Sequence, residues 1–173
     1  MDVETKNLDI YGDAVLPWSR ARDAMVEGLP SAETPVFLGT TRPDGRPHSA
    51  GVGMLWLDGE LYFTSGPGAR KARNLAANPA CTVSMRVKGL DLVLEGTASR
   101  VEDPVLLERV AERYAAGGWP AESDGVGLTA PYSAPSAGPP PWHVYHFSLD
   151  AAFGVATAEP YGATRWTFTG RDR

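Results

Sequence analysis

The chain is short of the groups from which many reactive sites are built: it has a single cysteine, Cys81, and three histidines, His48, His143 and His146. None falls in the Cys/His/carboxylate spacing that marks a zinc or iron site, so no metal is expected. A lone cysteine forms no internal disulfide, and the apolar run Ala80-Cys81-Thr82-Val83-Ser84-Met85 marks this one as a core thiol rather than a nucleophile. No apolar run reaches the roughly 18 residues that cross a membrane. Met1-Asp2-Val3-Glu4-Thr5-Lys6 has neither the basic nor the apolar region of a secretory leader, and the expectation is a cytoplasmic protein with no membrane partner. There is no extended basic tract in a chain of net charge −5, which argues against a large nucleic-acid surface. What is there, 43% hydrophobic and 21% charged residues in a chain of 173, suits one globular core.

Against that acidic background, Thr64-Ser65-Gly66-Pro67-Gly68-Ala69-Arg70-Lys71-Ala72-Arg73-Asn74-Leu75 gathers three cations and two hydroxyls beside a glycine turn. Leu61-Tyr62-Phe63 reads as a strand and residues 69–77 as a short helix. The hydroxyls of Thr64 and Ser65, the free N–H groups and the positive end of the helix dipole then converge on one point, which suits a phosphate. Lys71 adds a point charge and Arg70 a planar fork. The competing reading makes Arg70, Lys71 and Arg73 the solvated face of a surface helix. The segment has neither GxxxxGK[ST] nor GxGxxG, so a phosphate here belongs to a cofactor outside the P-loop and Rossmann classes.

Residues 18–29 place Trp18, Ala21, Arg22, Met25, Val26 and Leu29 at helical spacing, ended by Gly28 and Pro30. This predicts an N-terminal helical extension over 1–30 ahead of a domain over 31–173. Strand-like runs follow at 36–41, 47–57 and 61–65, separated by Arg42-Pro43-Asp44-Gly45 and Asp58-Gly59. Runs 81–87 and 90–101 join through Lys88-Gly89, and further runs cover 142–149, 152–156 and 164–168. A helix starts at Asp103-Pro104 and stops at Gly117-Gly118. Residues 119–141 are rich in Gly, Pro, Ser and Ala, a length of loop that suits a lid or a dimer arm. The fold class is mainly β (α+β): a small antiparallel barrel with helical crossings, with a two-layer sandwich as the alternative.

In order and spacing, Phe37-Leu38-Gly39-Thr40-Thr41-Arg42-Pro43-Asp44-Gly45-Arg46-Pro47, Leu61-Tyr62-Phe63-Thr64-Ser65, Arg70-Lys71-Ala72-Arg73-Asn74-Leu75 and Asn78-Pro79 resemble the pyridoxamine 5'-phosphate oxidase-like split β-barrel superfamily. Gly138-Pro139-Pro140-Pro141-Trp142-His143-Val144-Tyr145 and Ala163-Thr164-Arg165-Trp166-Thr167-Phe168 resemble its actinobacterial branch of flavin and deazaflavin oxidoreductases. The resemblance spans about residues 30–168. It implies a Greek-key-like split β-barrel with short crossing helices, forming a homodimer with FMN or the deazaflavin coenzyme F-420 at the interface. It also implies hydride transfer from reduced coenzyme F-420 to a small electron-poor acceptor. FMN-dependent reductase or oxidase chemistry, and non-catalytic flavin or haem binding, are the alternatives.

By the same resemblance, Thr64, Ser65, Arg70 and Lys71 hold the phosphate, and the ring lies along Val52, Gly53 and Met54, where glycines 51 and 53 open the backbone to a flat ligand. Asn74 supports the phosphate loop, Arg73 meets the anionic tail of the deazaflavin, and Arg165 beside Trp166 reaches the cofactor of the partner subunit. No catalytic side chain is required, because the cofactor carries the chemistry. The further basic residues that pyridoxamine phosphate oxidases use for their substrate have no clear equivalent, which disfavours vitamin B6 oxidation. Trp56, Trp142 and Trp166 either wall a flat pocket or pack in the core, Arg165 is alternatively a surface ion-pair partner, and His146 reads as a hydrogen-bonded strand residue rather than a haem ligand.

Overall fold

The structure is a computed structural model that describes residues 2–169; Met1 and the last part of the expected domain, 170–173, lie outside them. In chain order the elements are β1 (Asp2–Asn7), α1 (Trp18–Gly28), β2 (Val36–Thr41), β3 (Pro47–Gly51), β4 (Met54–Leu57), β5 (Glu60–Ser65) and α2 (Arg70–Ala77). Then come β6 (Ala80–Val87), β7 (Leu90–Arg100), α3 (Pro104–Ala116), β8 (Glu122–Ser123), β9 (Leu128–Thr129), β10 (His143–Ala156) and β11 (Ala163–Thr169).

Two tight hairpins follow directly from local chemistry. Asp58-Gly59 and Lys88-Gly89 both adopt positive φ, the backbone that twists correctly between antiparallel strands, and they join β4 to β5 and β6 to β7. The main sheet runs β1-β11-β10-β7-β6-β2-β3, all antiparallel, and the β4–β5 hairpin joins it through β10. The long strand β10 is the pivot. Its first half pairs with β5 and with β7 at once, and a bulge between Leu149 and Ala151 bends it so that the sheet curls on itself.

The inward faces of β2, β5, β6, β7, β10 and β11 meet in one core around Leu38, Phe63, Val83, Leu94, Phe147 and Trp166, closed at one end by Ala21 and Met25 of α1. A second core, with Leu55, Tyr62, Leu107, Val110, Tyr114 and Val144, lies where α3 packs across β4, β5 and β10. Helix α3 starts where expected, because the Asp103 carboxylate accepts from the Val105 N–H and Pro104 occupies the first turn. Among the described residues, no helix is long and apolar enough to cross a membrane.

The sequence reading and the structure differ at four places. Residues 47–57 form two strands: β3 pairs with β2 and β4 with β5, so Val52 and Gly53 sit at the break, with the Val52 N–H donating to the Val36 carbonyl at 3.0 Å. Runs 142–149 and 152–156 are one strand continued through the bulge. The 1–30 segment supplies strand β1 as well as a helix; all six of its residues are exposed, so it carries no alternation to read. Residues 119–141, read as one long loop, carry the short antiparallel pair β8–β9, with the Trp119 indole donating to the Tyr132 carbonyl at 2.7 Å and Leu128 bridging to Trp142.

Candidate functional site

Strand β5 delivers Thr64 and Ser65 to a turn, the Ala69 N–H closes it on the Gly66 carbonyl at 3.0 Å, and α2 begins at once with Arg70 and Lys71. The β3–β4 break runs beside this turn. Between them opens a cavity of about 410 Å³ that brings together Val52, Gly53, Thr64, Ser65 and Lys71. The remaining walls come from α3 and the 119–141 loop: Tyr114, Trp119, Tyr132, Trp142 and the strap Ser133–Ala137.

The Tyr114 hydroxyl donates to the Gly53 carbonyl at 2.6 Å, which fixes the peptide at the strand break. Burial pushes its phenol above the ordinary value, only partly offset by a hydrogen bond with Thr64, so Tyr114 stays a neutral donor at neutral pH. Trp119 stands edge-on to Tyr114 at 5.1 Å and tilted against Trp142 at 5.6 Å, giving a wall of three rings. Burial holds the Lys71 ammonium below its ordinary pKa, and among the described residues no carboxylate pairs with it. A Cβ at Gly51 or Gly53 would meet nothing within 4 Å. A half-buried cation without a counter-ion, hydroxyls, aromatic walls and bare backbone fit a flat group that ends in a phosphate.

Other residues singled out in the sequence lie elsewhere. Met54 is buried in the main core. Trp166 is fully buried there too, its indole donating to the Leu16 carbonyl at 3.0 Å, and Trp56 packs against the same core. Asn74 donates to the Thr40 hydroxyl at 2.9 Å, tying α2 to β2 instead of to the turn. Arg73 donates to the Gly68 carbonyl at 2.9 Å and lines a separate groove with Arg100 and His143. Arg70 is exposed at the start of α2. The Arg165 guanidinium lies 5.3 Å from the Phe153 ring centre, and His146 pairs with Glu60 at 2.8 Å.

Tyr114, Trp119 and Tyr132 were not singled out as site residues from sequence. Val105, Leu106, Val110, Ala111 and Tyr114 recur at helical spacing in the sequence, so periodicity alone reads Tyr114 as part of the apolar face of α3. The available signal was an aromatic pair flanking Gly117-Gly118 and leading into a loop with no core of its own.

An antiparallel barrel opened at a strand break, with its cavity at the opening and helices crossing its ends, is an α+β split β-barrel. The sequence model of the family described as "Pyridoxamine 5'-phosphate oxidase" matches residues 21–140, and the chain belongs to that family. A pyridoxine/pyridoxamine 5'-phosphate oxidase of Bacteroides thetaiotaomicron is 32% identical over 92 residues, 51% of this chain and 43% of the relative, so the match spans less than half of that protein. Among solved structures, the conserved hypothetical protein Rv2991 of Mycobacterium tuberculosis superposes with TM-score 0.62 at 19% identity, over 84% of this chain and 88% of that one. An F420 reductase superposes with TM-score 0.51 at 23% identity, over 76% and 94%. At these identities the two structures show the shared fold.

Proposed function

We propose that the protein is a flavin- or deazaflavin-dependent oxidoreductase that passes hydride from reduced coenzyme F-420 to a small electron-poor acceptor. The observation that carries this reading is the convergence of Lys71, Thr64 and Ser65 with the bare backbone at Gly51–Gly53 in one aromatic-walled cavity. Membership of a family whose B. thetaiotaomicron relative is named an oxidase, and a fold shared with an F420 reductase, support the oxidoreductase class.

The bound cofactor supplies the hydride chemistry. The chain supplies the rest. Lys71, with the Thr64 and Ser65 hydroxyls beside it, would hold the phosphate; Tyr114 fixes the Gly53 peptide of the cavity wall; Trp119, Trp142 and the strap Ser133–Ala137 would shield the bound group from water. A homodimer with the cofactor at its interface belongs to the same reading, with Arg165 reaching across to the partner's site. The outward face of the main sheet supports it: Phe37 is 51% exposed there, beside a groove of about 780 Å³ that also holds Thr82, Ser84 and Glu95.

The deazaflavin is preferred over FMN because the C-terminal motifs resemble the actinobacterial branch, and because Arg73, Arg100 and His143 share a groove on which an anionic tail can lie. Parallel titrations at low salt test the preference. FMN binding about tenfold tighter, a difference of ~1.4 kcal/mol, overturns it and leaves an FMN-dependent reductase or oxidase, a reading favoured by the name of the B. thetaiotaomicron relative. Turnover of the bound reduced cofactor by activated alkenes or quinones separates an enzyme from a binding protein.

A further inference from the structure

The roof of the cavity is held differently from the rest of the barrel. Leu128 and Trp142 exchange two backbone hydrogen bonds of 2.8 Å, and both are buried, so they fix the neck of the loop that joins β9 to β10. Between them, none of residues 129–141 is buried, and Tyr132 is 58% exposed. With its ends tied together, the loop is an Ω-shaped segment that has no apolar anchor of its own. Within it the Ala137 N–H donates to the Ala134 carbonyl at 2.9 Å, which makes the strap Ser133–Ala137 one compact turn. The strap lies directly on the β5–α2 turn, where a Cβ at Gly66 would collide with the Ala137 carbonyl oxygen.

Two indoles hold the feet of this strap. At one foot the Trp119 N–H donates to the Tyr132 carbonyl at 2.7 Å, and the Tyr132 hydroxyl donates back to the Gly118 carbonyl at 3.2 Å. At the other, the Trp142 N–H donates to the Gly138 carbonyl at 3.1 Å, where a φ of +74° turns the chain into Pro139–Pro141. The same two rings stand 5.6 Å apart as walls of the cavity. Each indole therefore borders the cavity with its ring and grips the roof with its N–H. A segment with exposed hydrogen bonds and no buried side chain opens far more readily than the sheet beneath it. Here opening means releasing both indoles.

We propose that residues 129–141 are a lid over the cavity: Trp119 and Trp142 latch its two feet, and it opens as one body about the Leu128–Trp142 neck. A fixed roof would need an apolar anchor, which these residues lack. A group seated against both rings restrains the indoles and so holds the lid shut. The identity of that group as a flavin or deazaflavin rests on the function proposed above; the latch does not.

Exchange of the indole N–H groups with solvent, followed by NMR on the whole protein carrying isotope-labelled tryptophan, tests the lid without any ligand. Single tryptophan-to-phenylalanine variants serve only to assign the signals. Trp166, whose indole donates to the Leu16 carbonyl in the main core, is the internal standard for global unfolding. The Trp119 and Trp142 indoles are expected to exchange within about tenfold of each other and at least ~100-fold faster than Trp166. Rates further apart than that, or either indole as slow as Trp166, overturn the proposal. Tyr132→Phe removes the return hydrogen bond from an exposed side chain and leaves both indoles in place. It is expected to speed both by about fivefold, and a response that fails to reach Trp142 overturns the one-body opening. FMN and coenzyme F-420 are then added in separate titrations. Binding of either is expected to slow both indoles about tenfold or more; binding that leaves them unchanged overturns the lid and leaves the function standing. If the indoles exchange and respond together but neither cofactor binds, the lid stands and the proposed function falls.

Discussion

Lys71 is the cation of α2 that reaches the cavity wall, whereas Arg70 is exposed beside it. Loss of a charge-assisted hydrogen bond to a partly buried anion costs about 1–3 kcal/mol, so Lys71→Ala and Arg70→Ala are each expected to weaken cofactor binding by roughly five- to 150-fold. Fluorescence titration with FMN, repeated with coenzyme F-420, reads the change; unaltered affinity for both returns the pair to a solvated helix face. Tyr114 acts on the other wall. Its hydroxyl satisfies the Gly53 carbonyl at the strand break, and Tyr114→Phe leaves that carbonyl without its donor. The expected loss is about 1 kcal/mol of stability, a fall of roughly 2–4 °C in Tm, and, under the proposed function, weaker binding of FMN or coenzyme F-420. An unchanged melting curve would show that the hydrogen bond contributes nothing net.

At the scale of elements, the site depends on how closely the strap between β9 and β10 approaches the β5–α2 turn. A Cβ added at Gly66 would collide with the carbonyl oxygen of Ala137 and touch the Trp142 ring at 3.8 Å. The backbone carbonyl cannot move without the strap. Gly66→Ala is therefore expected to lift the strap while the sheet stays intact: proteolysis within residues 131–141 speeds up, FMN affinity falls about tenfold through lost shielding, and far-UV circular dichroism is unchanged. A strap that remains protected from protease in this variant would mean that the turn yields instead.

For the molecule as a whole, the buried neutral acids are expected to lower stability at alkaline pH. Burial pushes the Cys81 thiol from 9.0 up to about 12 and raises the phenols of Tyr62, Tyr114 and Tyr145. Above its ordinary pKa each of these groups ionises in the unfolded chain before it does in the barrel. The unfolded state then binds fewer protons, and stability falls as pH rises. The thiol's contribution is complete below pH 9.0 and is lost by about pH 12, on the order of 4 kcal/mol in total. Urea unfolding from pH 8 upward is expected to show this decline, and Cys81→Ala to flatten it; a variant with the same slope would exclude the thiol as its source. Quaternary structure belongs to the same scale. Light scattering is expected to give a dimer, and Phe37→Glu a folded monomer, because a carboxylate replaces the large apolar side chain on the open face of the sheet. A monomeric unmutated protein would remove the interface from the proposed function.

What was legible in the chain is what local physics decides. Asp58-Gly59 and Lys88-Gly89 specify tight turns because the backbone there must take positive φ, Asp103-Pro104 caps a helix with its own carboxylate, and alternation along residues 81–101 determines which faces are apolar. The cationic turn at 64–73 belongs with these, since its strand, glycines and helix are contiguous. Tertiary structure decided which distant groups share that turn. Trp142 and Trp166 are alike as strand tryptophans, yet β10 sets Trp142 at the cavity beside the end of β5, while β11 aims Trp166 into the core onto Leu16. Asn74 reads as a neighbour of Lys71, but the packing of α2 on β2 gives it to Thr40. Tyr114 and Trp119 enter the site only because α3 crosses β4 and the loop behind it doubles back. Periodicity tells which side of an element is apolar; the partner for that side is set by chain closure over dozens of residues, where burial energy summed over the whole barrel outweighs any local preference.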